Sequence, residues 1–396
     1  MQEMGGFTPY PSHESPSTQH TQHSGAVVEE DDMVVVPLEF ARGVFWIDLC
    51  LPPTQCVSAV FDTGSSHLVV ATPQCTTCDA DQERVRLPPA QQWLSKDVTL
   101  AYGSQRVVAH MALQTMTLQA YIVDTTLQHT LRALGIAHLP PAQSLQHVAT
   151  HVEPQALPAR DVELYATMHM SGATSLNIFG VAPTTHRADG TLLAAVFPPP
   201  RRRAFGILLG RSQGVWLLGP PPPPRPAAPF QLVSVPLELP RRVAQRDGTA
   251  FLTTRLVDVW VGTSLSALVS VRKTMRAQHP AAAAEAWWLM TDTGATRTYP
   301  SRAVAAVMQQ LGVPHARRSA WWMALELQRG VFIVLAPDAV EDSLDLRDPF
   351  VEQVLHADGI LVGCLALRGL YMHVDVHTRT LHWAAARRRG HPHTQT

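Results

Sequence analysis

Lysine is nearly missing from this chain: Lys96 and Lys273 are the only two in 396 residues, so almost all positive charge is arginine. The formal net charge is −1 at pH 7, which gives no electrostatic pull toward nucleic acid. No segment approaches the run of about 20 apolar residues that spans a bilayer. The N-terminal residues also lack the basic start and apolar stretch of a secretory signal. These absences lead to the expectation of no nucleic-acid partner, no membrane insertion and an intracellular location. Cysteine is scarce and odd in number. Cys50, Cys56, Cys75, Cys78 and Cys364 cannot all pair within one chain, which fits a reducing compartment or at least one free thiol. Cys75 and Cys78 are spaced to close a small loop or to bind a metal, yet no second Cys-x-x-Cys or His pair follows at zinc-site spacing. The 19 histidines are scattered and read as surface residues. No metal and no other cofactor is expected.

What remains is an ordinary globular composition, 46% hydrophobic, long enough for two cores. Residues 1–32 are polar and read as a disordered tail. From Met33 the pattern turns to short apolar or alternating runs, as in residues 33–40, 43–49, 56–61, 107–111 and 115–123, broken by Pro, Gly and turn residues. Many short strands with turns between them mean an all-β architecture. Residues 127–174 are less regular, rich in proline and with some helix-like pieces, and read as an inserted or elaborated loop. The nearly all-proline run from Gly219 to Pro229 is stiff and offers no donors to a sheet, so it reads as a spacer rather than an SH3-type ligand. Strand patterning resumes at residues 230–237, 250–260 and 266–271, and the alanines of 281–286 read as a loop. Val304, Val307, Met308 and Leu311 stand at helical spacing within 301–311. These divisions give a first unit over 33–229, a second over 230–386 and a basic tail over 387–396.

One chemical idea occurs twice. Ala59-Val60-Phe61-Asp62-Thr63-Gly64-Ser65-Ser66 and Leu289-Met290-Thr291-Asp292-Thr293-Gly294-Ala295-Thr296 each run an apolar strand into Asp-Thr-Gly. A lone triplet is weak evidence, but two copies with matching flanks are not. Acid catalysis by an activated water needs two carboxyl groups sharing a proton, and two copies of one loop supply such a dyad.

With its flanks, the chain resembles the pepsin-like aspartic proteases over most of Met33 to Ala386. Phe61 to Val70 is similar to that family's first active-site loop, and Thr291 to Thr296 to its second. Asn177-Ile178-Phe179-Gly180 and Ile360-Leu361-Val362-Gly363 resemble the two apolar-apolar-Gly segments that cross behind those loops. Tyr102-Gly103-Ser104 lies where the family carries its flap. The resemblance implies a bilobal double-ψ β-barrel architecture with a few short helices and an interlobe cleft. It also implies a monomer acting on polypeptide substrates through Asp62 and Asp292.

The neighbours acquire expected roles from this resemblance. Gly64 and Gly294 let amides approach the carboxylates. Thr63 and Thr293 hydrogen-bond across the interface, and Ser65 donates to Asp62. Val60, Ile178, Met290, Thr296 and Leu361 line substrate pockets. Departures from the family pattern matter too. Ala295 has no side-chain donor where the first loop has Ser65, which predicts a dyad of weaker acidity. Val69 stands where a Trp usually supports the flap tyrosine, so the flap is expected to be braced differently. Residues 1–32 contain no Lys or Arg, which argues against a basic propeptide. The expected function is aspartic endopeptidase; the alternative is a catalytically weak or inactive pepsin-like protein that binds peptides or serves in a virion.

Overall fold

The computed structural model describes residues 32–79, 82–87, 93–102, 105–124, 141–171, 177–183, 192–197, 204–219, 233–240, 251–313, 321–348 and 350–385. The polar N-terminal segment, the proline spacer, the basic C-terminal tail and the flap residues Gly103 and Ser104 lie outside the described residues.

The first unit opens with strand β1 (Met33–Ala41) and strand β2 (Val44–Leu51). Arg42 and Gly43 both have positive φ (53° and 88°), the backbone shape that a two-residue hairpin loop demands. Strand β3 (Gln55–Asp62) pairs antiparallel with β2 and delivers Asp62 at its C-terminal end. Cys50 and Cys56 face each other across that pair and are disulfide-bonded; Cys75 and Cys78 form a second disulfide. Cys364 is the one free thiol of the five, so the odd count resolves as two bonds and a buried remainder.

Strand β4 (Leu68–Ala71) follows the first loop, and strands β5 (Ser95–Tyr102) and β6 (Gln105–Val123) form the next hairpin. Of the inserted or elaborated loop expected over 127–174, residues 127–140 and 172–174 lie outside the described residues, and the strand over 155–171 is a correction. Residues 141–151 form helix α1 (Pro141–His151), and strand β7 (Gln155–Ser171) pairs along most of β6. Pro158 did not prevent this because register shifts interrupt the β6–β7 ladder, letting it accommodate irregular residues.

Strand β8 (Ile178–Gly180) runs parallel to β3, with Gly180 opposite Asp62. After a short helix α2 (Leu192–Val196) come strands β9 (Ala204–Leu209), β10 (Gln213–Leu218) and β11 (Val233–Pro236).

The second unit contributes strands β12 (Leu252–Gly262), β13 (Val269–Ser270) and β14 (Trp287–Asp292), the last ending on Asp292. Helix α3 (Val271–Gln278) and helix α4 (Pro280–Ala284) precede β14, so the alanine-rich segment is partly helical rather than a loop. Ala has the highest helix propensity, and packing of Ala283 in the core decides the outcome. Strand β15 (Tyr299–Pro300) and helix α5 (Arg302–Gln310) follow, the helix burying Val304, Val307 and Met308 as its spacing predicts. Strands β16 (Trp322–Leu327) and β17 (Val331–Leu335), helices α6 (Pro337–Ser343) and α7 (Phe350–Leu355), strand β18 (Gly359–Gly363), helix α8 (Cys364–Leu367) and strands β19 (Leu370–Asp375) and β20 (Thr380–Ala385) complete the chain.

A 13-stranded sheet has the order β11-β20-β19-β9-β10-β1-β2-β3-β8-β4-β7-β6-β5, and a 7-stranded sheet holds β15-β18-β14-β12-β16-β17 with β13 on β12. The architecture is mostly β with short helices, the bilobal form expected of the sequence. The larger sheet is not confined to the first half: β11, β19 and β20 come from the second half and join it through β9.

Behind the first loop, Trp216 is fully buried with its ring against Phe61, Phe179 and Phe205 at centroid distances of 5.5, 5.6 and 6.3 Å. Truncation here removes the common packing partner of three aromatics. Trp216→Ala is expected to cost about 3–5 kcal/mol, read from denaturant unfolding, whereas a change below about 1 kcal/mol would mean that these rings do not form a cooperative core.

Candidate active site

The two strands that end on aspartate have equivalent surroundings. β3 lies parallel to β8 with Asp62 opposite Gly180, and β14 lies parallel to β18 with Asp292 opposite Gly363. Each opposing glycine is tightly covered by the loop that follows the aspartate. A Cβ on Gly180 would meet Ser65 and the backbone nitrogen of His67, and one on Gly363 would meet the carbonyls of Ala295 and Arg297. Those residues stand three and five positions after their aspartate in both halves. The glycines are therefore required by backbone crossing, not by turn geometry.

Threonine joins the halves. The Thr63 amide donates to Thr293 Oγ1 at 3.0 Å, and the Thr293 amide donates to Thr63 Oγ1 at 3.0 Å. Thr63 Oγ1 donates onward to the Thr291 carbonyl (3.0 Å) and Thr293 Oγ1 to the Phe61 carbonyl (2.6 Å). Both threonines are fully buried.

This lock brings the carboxylates together. A Cβ on Gly64 would lie 2.7 Å from both Asp292 oxygens, and one on Gly294 would lie 2.6 Å from Asp62 Oδ1 and 3.2 Å from Asp292 Oδ1. One point in space is thus within contact of both acids, and only glycine leaves it open. Each aspartate retains 7% exposure, enough to meet solvent from one side. The Gly64 amide donates to Asp62 Oδ1 (2.7 Å), and the amides of Gly294 and Ala295 donate to Asp292 Oδ1 (2.9 and 3.1 Å).

Burial pushes the Asp292 carboxyl well above the ordinary carboxylate range, and the charge of Asp62 and a hydrogen bond with it push the same way. The Ala295 and Gly294 amides oppose this shift. Weaker acidity at Asp292 therefore comes first from desolvation and then from the like charge of Asp62.

Ser65 is a correction. Its hydroxyl is buried without a hydrogen-bond partner and does not donate to Asp62. It sits instead at the loop's crossing with Gly180, where the backbone of the loop sets its direction.

The expected pocket residues also divide. Val60, Met290 and Leu361 are 3%, 1% and 0% exposed, and pack in core clusters rather than facing a groove. β14 and β18 are buried along their whole length, and β3 over its last four residues, so a side chain near either aspartate meets protein on both faces. Ile178 is buried beneath Tyr102 in a cluster with Val69 and Tyr165. Thr296 does line open space: a groove of about 1260 Å³ runs from Gly294 and Thr296 past Arg42, Phe40 and Trp46. Small-molecule pockets typically span about 300–1,000 Å³, so this one suits a larger ligand.

Tyr102 ends β5, half-buried against the cluster that contains Val69 and Ile178. Burial raises its phenol well above the usual value, followed by the charge of Asp62 and then by Tyr165, so it stays protonated close to the dyad. Cys364, buried within reach of the Asp292 charge, donates from Sγ to the Gly43 carbonyl at 3.0 Å. Burial pushes this thiol up to about 12, which rules it out as a nucleophile near neutral pH. Among the described residues, no group of three or more His, Cys, Asp or Glu side chains is gathered for a metal ion.

The overall fold is similar to that of a solved structure. The chain superposes on the crystal structure of the aspartic proteinase from Irpex lacteus with a TM-score of 0.59, covering 89% of this chain and 97% of that one at 14% sequence identity. The fold is that of the pepsin-like aspartic proteinases. No protein-family model and no curated protein sequence matches the chain. In this pepsin-like fold the sequence analysis missed Asn177, whose side chain accepts from the Ala71 amide (2.8 Å) and donates to the Ser58 carbonyl (3.2 Å), tying β4 to β3. It also passed over His67. A signal for His67 was present: Leu68 faces the core, so positions 67 and 69 must share the opposite face.

Two outcomes follow from this geometry. Thr63→Val strands the Thr293 amide and the Thr291 carbonyl in the core, and should cost at least about 1–3 kcal/mol in equilibrium unfolding; a neutral result would dismiss the lock. Asp292 binds its proton more tightly folded than unfolded, so its stabilising contribution is complete below its unfolded value of about 3.9 and is lost as pH rises through the raised folded value. Asp292→Asn, which cannot ionise, should show a smaller loss of stability between about pH 4 and pH 8 than the native chain. An equal loss in both would contradict the raised carboxyl.

Proposed function

We propose that this protein is an aspartic endopeptidase that hydrolyses polypeptides with a water activated between Asp62 and Asp292. The observation that carries the reading is the pair of glycines whose missing side chains leave both carboxylates open to one shared point. Like charges this close cannot both ionise cheaply, so the pair keeps one proton, held on Asp292 where burial raises its affinity.

The chemistry then balances without any other group. Asp62 takes a proton from water as its oxygen bonds to the scissile carbonyl carbon, while Asp292 gives its proton to the carbonyl oxygen. In the resulting gem-diol, the proton on Asp62 passes to the amide nitrogen as the C–N bond breaks. A hydroxyl proton of the gem-diol returns to Asp292. No acyl-enzyme forms. Tyr102, protonated and near Asp62, would cover the reacting centre, and the groove past Thr296 would hold part of an extended chain.

The decisive assay is cleavage of a denatured protein between about pH 3 and pH 8, with and without a statyl-type peptide mimic. Asp62→Asn and Asp292→Asn should each lower the rate by at least about 10²–10⁴-fold while leaving the chain folded by circular dichroism. Because Asp292 must hold its proton, the alkaline limb of the native profile should lie above the usual carboxylate range. Cleavage that survives either substitution would overturn the reading. A native protein that binds the mimic but cuts nothing would instead be a peptide-binding module.

A further inference from the structure

Tyr102 needs a polar partner to hold a fixed place beside the dyad, because a phenol on apolar packing alone can slide. The cluster it packs against includes Val69, which is fully buried and has no polar side-chain atom. His67, two residues earlier, points to the same face of the chain. Its Nδ1 and the Tyr102 hydroxyl are hydrogen-bonded at 3.4 Å, and the two rings meet edge to face at 89° with centroids 6.5 Å apart.

His67 is itself held from two directions. Its ring packs edge-on against Tyr165 at 4.9 Å, and the Tyr165 hydroxyl donates to Glu163 at 3.2 Å. Its carbonyl accepts the Gly180 amide at 2.9 Å, fixing the backbone five residues after Asp62. The partner of Tyr102 thus belongs to the same rigid loop that carries one of the two acids.

We propose that His67 is the positioning residue for Tyr102, coupling the tyrosine's hydroxyl to the loop of Asp62 and so setting where it meets a bound peptide. The imidazole does not touch the reacting atoms; it acts through Tyr102. This rests on the endopeptidase reading for its consequence in catalysis, but the coupling itself can be measured by binding alone.

The test is a double-mutant cycle with a statyl-type peptide mimic as the probe, its Kd measured by calorimetry in an Asp62→Asn background. Tyr102→Phe and His67→Leu should each weaken binding about three- to tenfold, the range for loss of one hydrogen bond. The two together should weaken it no further than either alone. His67→Asn, which keeps a polar atom near the Nδ1 position, should restore most of the affinity. Melting temperatures of the variants identify any loss that comes from unfolding.

Multiplying effects in the double variant, or failure of His67→Asn to rescue beside a fully folded His67→Leu, would overturn the proposal. In the native background the same cycle on kcat/KM should show the same non-additivity. A chain that cuts nothing yet shows coupled binding would refute the endopeptidase reading and uphold the role of His67. A chain that cuts, with uncoupled variants, would do the reverse.

Discussion

Two carboxyl groups buried face to face repel whenever both are ionised, and something must hold them there. In this protein the restraint is a closed set of four hydrogen bonds in which each of two threonines donates and accepts through its hydroxyl and donates through its amide. Every one of these bonds crosses between residues about 230 positions apart in sequence. Because the groups are fully buried, none can exchange its partner for water, and separating the halves would leave all of them unsatisfied together. The electrostatic strain of the dyad and the geometric precision of the site are therefore two sides of one arrangement.

The surrounding glycines extend the same logic. Gly64 and Gly294 remove the atoms that would come between the acids, while Gly180 and Gly363 let a second strand cross each loop from behind. The backbone amides that then reach the carboxylates compete with desolvation for control of proton affinity, and at Asp292 desolvation prevails. The proposed activation of water asks one member of the pair to keep its proton.

How much of this was readable in advance depended on the range of the interaction. The repeated Asp-Thr-Gly stretches were legible because the local sequence dictates a strand, a turn and a small residue in fixed order. Helix α5 was legible because its four apolar positions share one face. β7 was not, since proline and irregular spacing argue for a loop and only its long partner strand β6 makes the extended form favourable. Val60, Met290 and Leu361 misled for a related reason: an apolar residue beside an aspartate reads as a pocket wall, but strands covered on both faces turn every such side chain into core. Ser65 misled because a hydroxyl three residues from a carboxylate can reach it in principle, whereas the crossing at Gly180 fixes where it points.

The shared sheet has a consequence for how the molecule is made. Every residue of β9 is buried, yet one of its edges is completed only by β19, with Leu208 paired to Tyr371 and Phe205 to Val374. On the ribosome that edge has no mate until β19, far downstream, has emerged, and pairing across so long a separation is slow. The nascent first half thus carries an apolar, unmatched strand that needs shielding during synthesis. β19 and β20, translated long after β9, complete the wall that it begins.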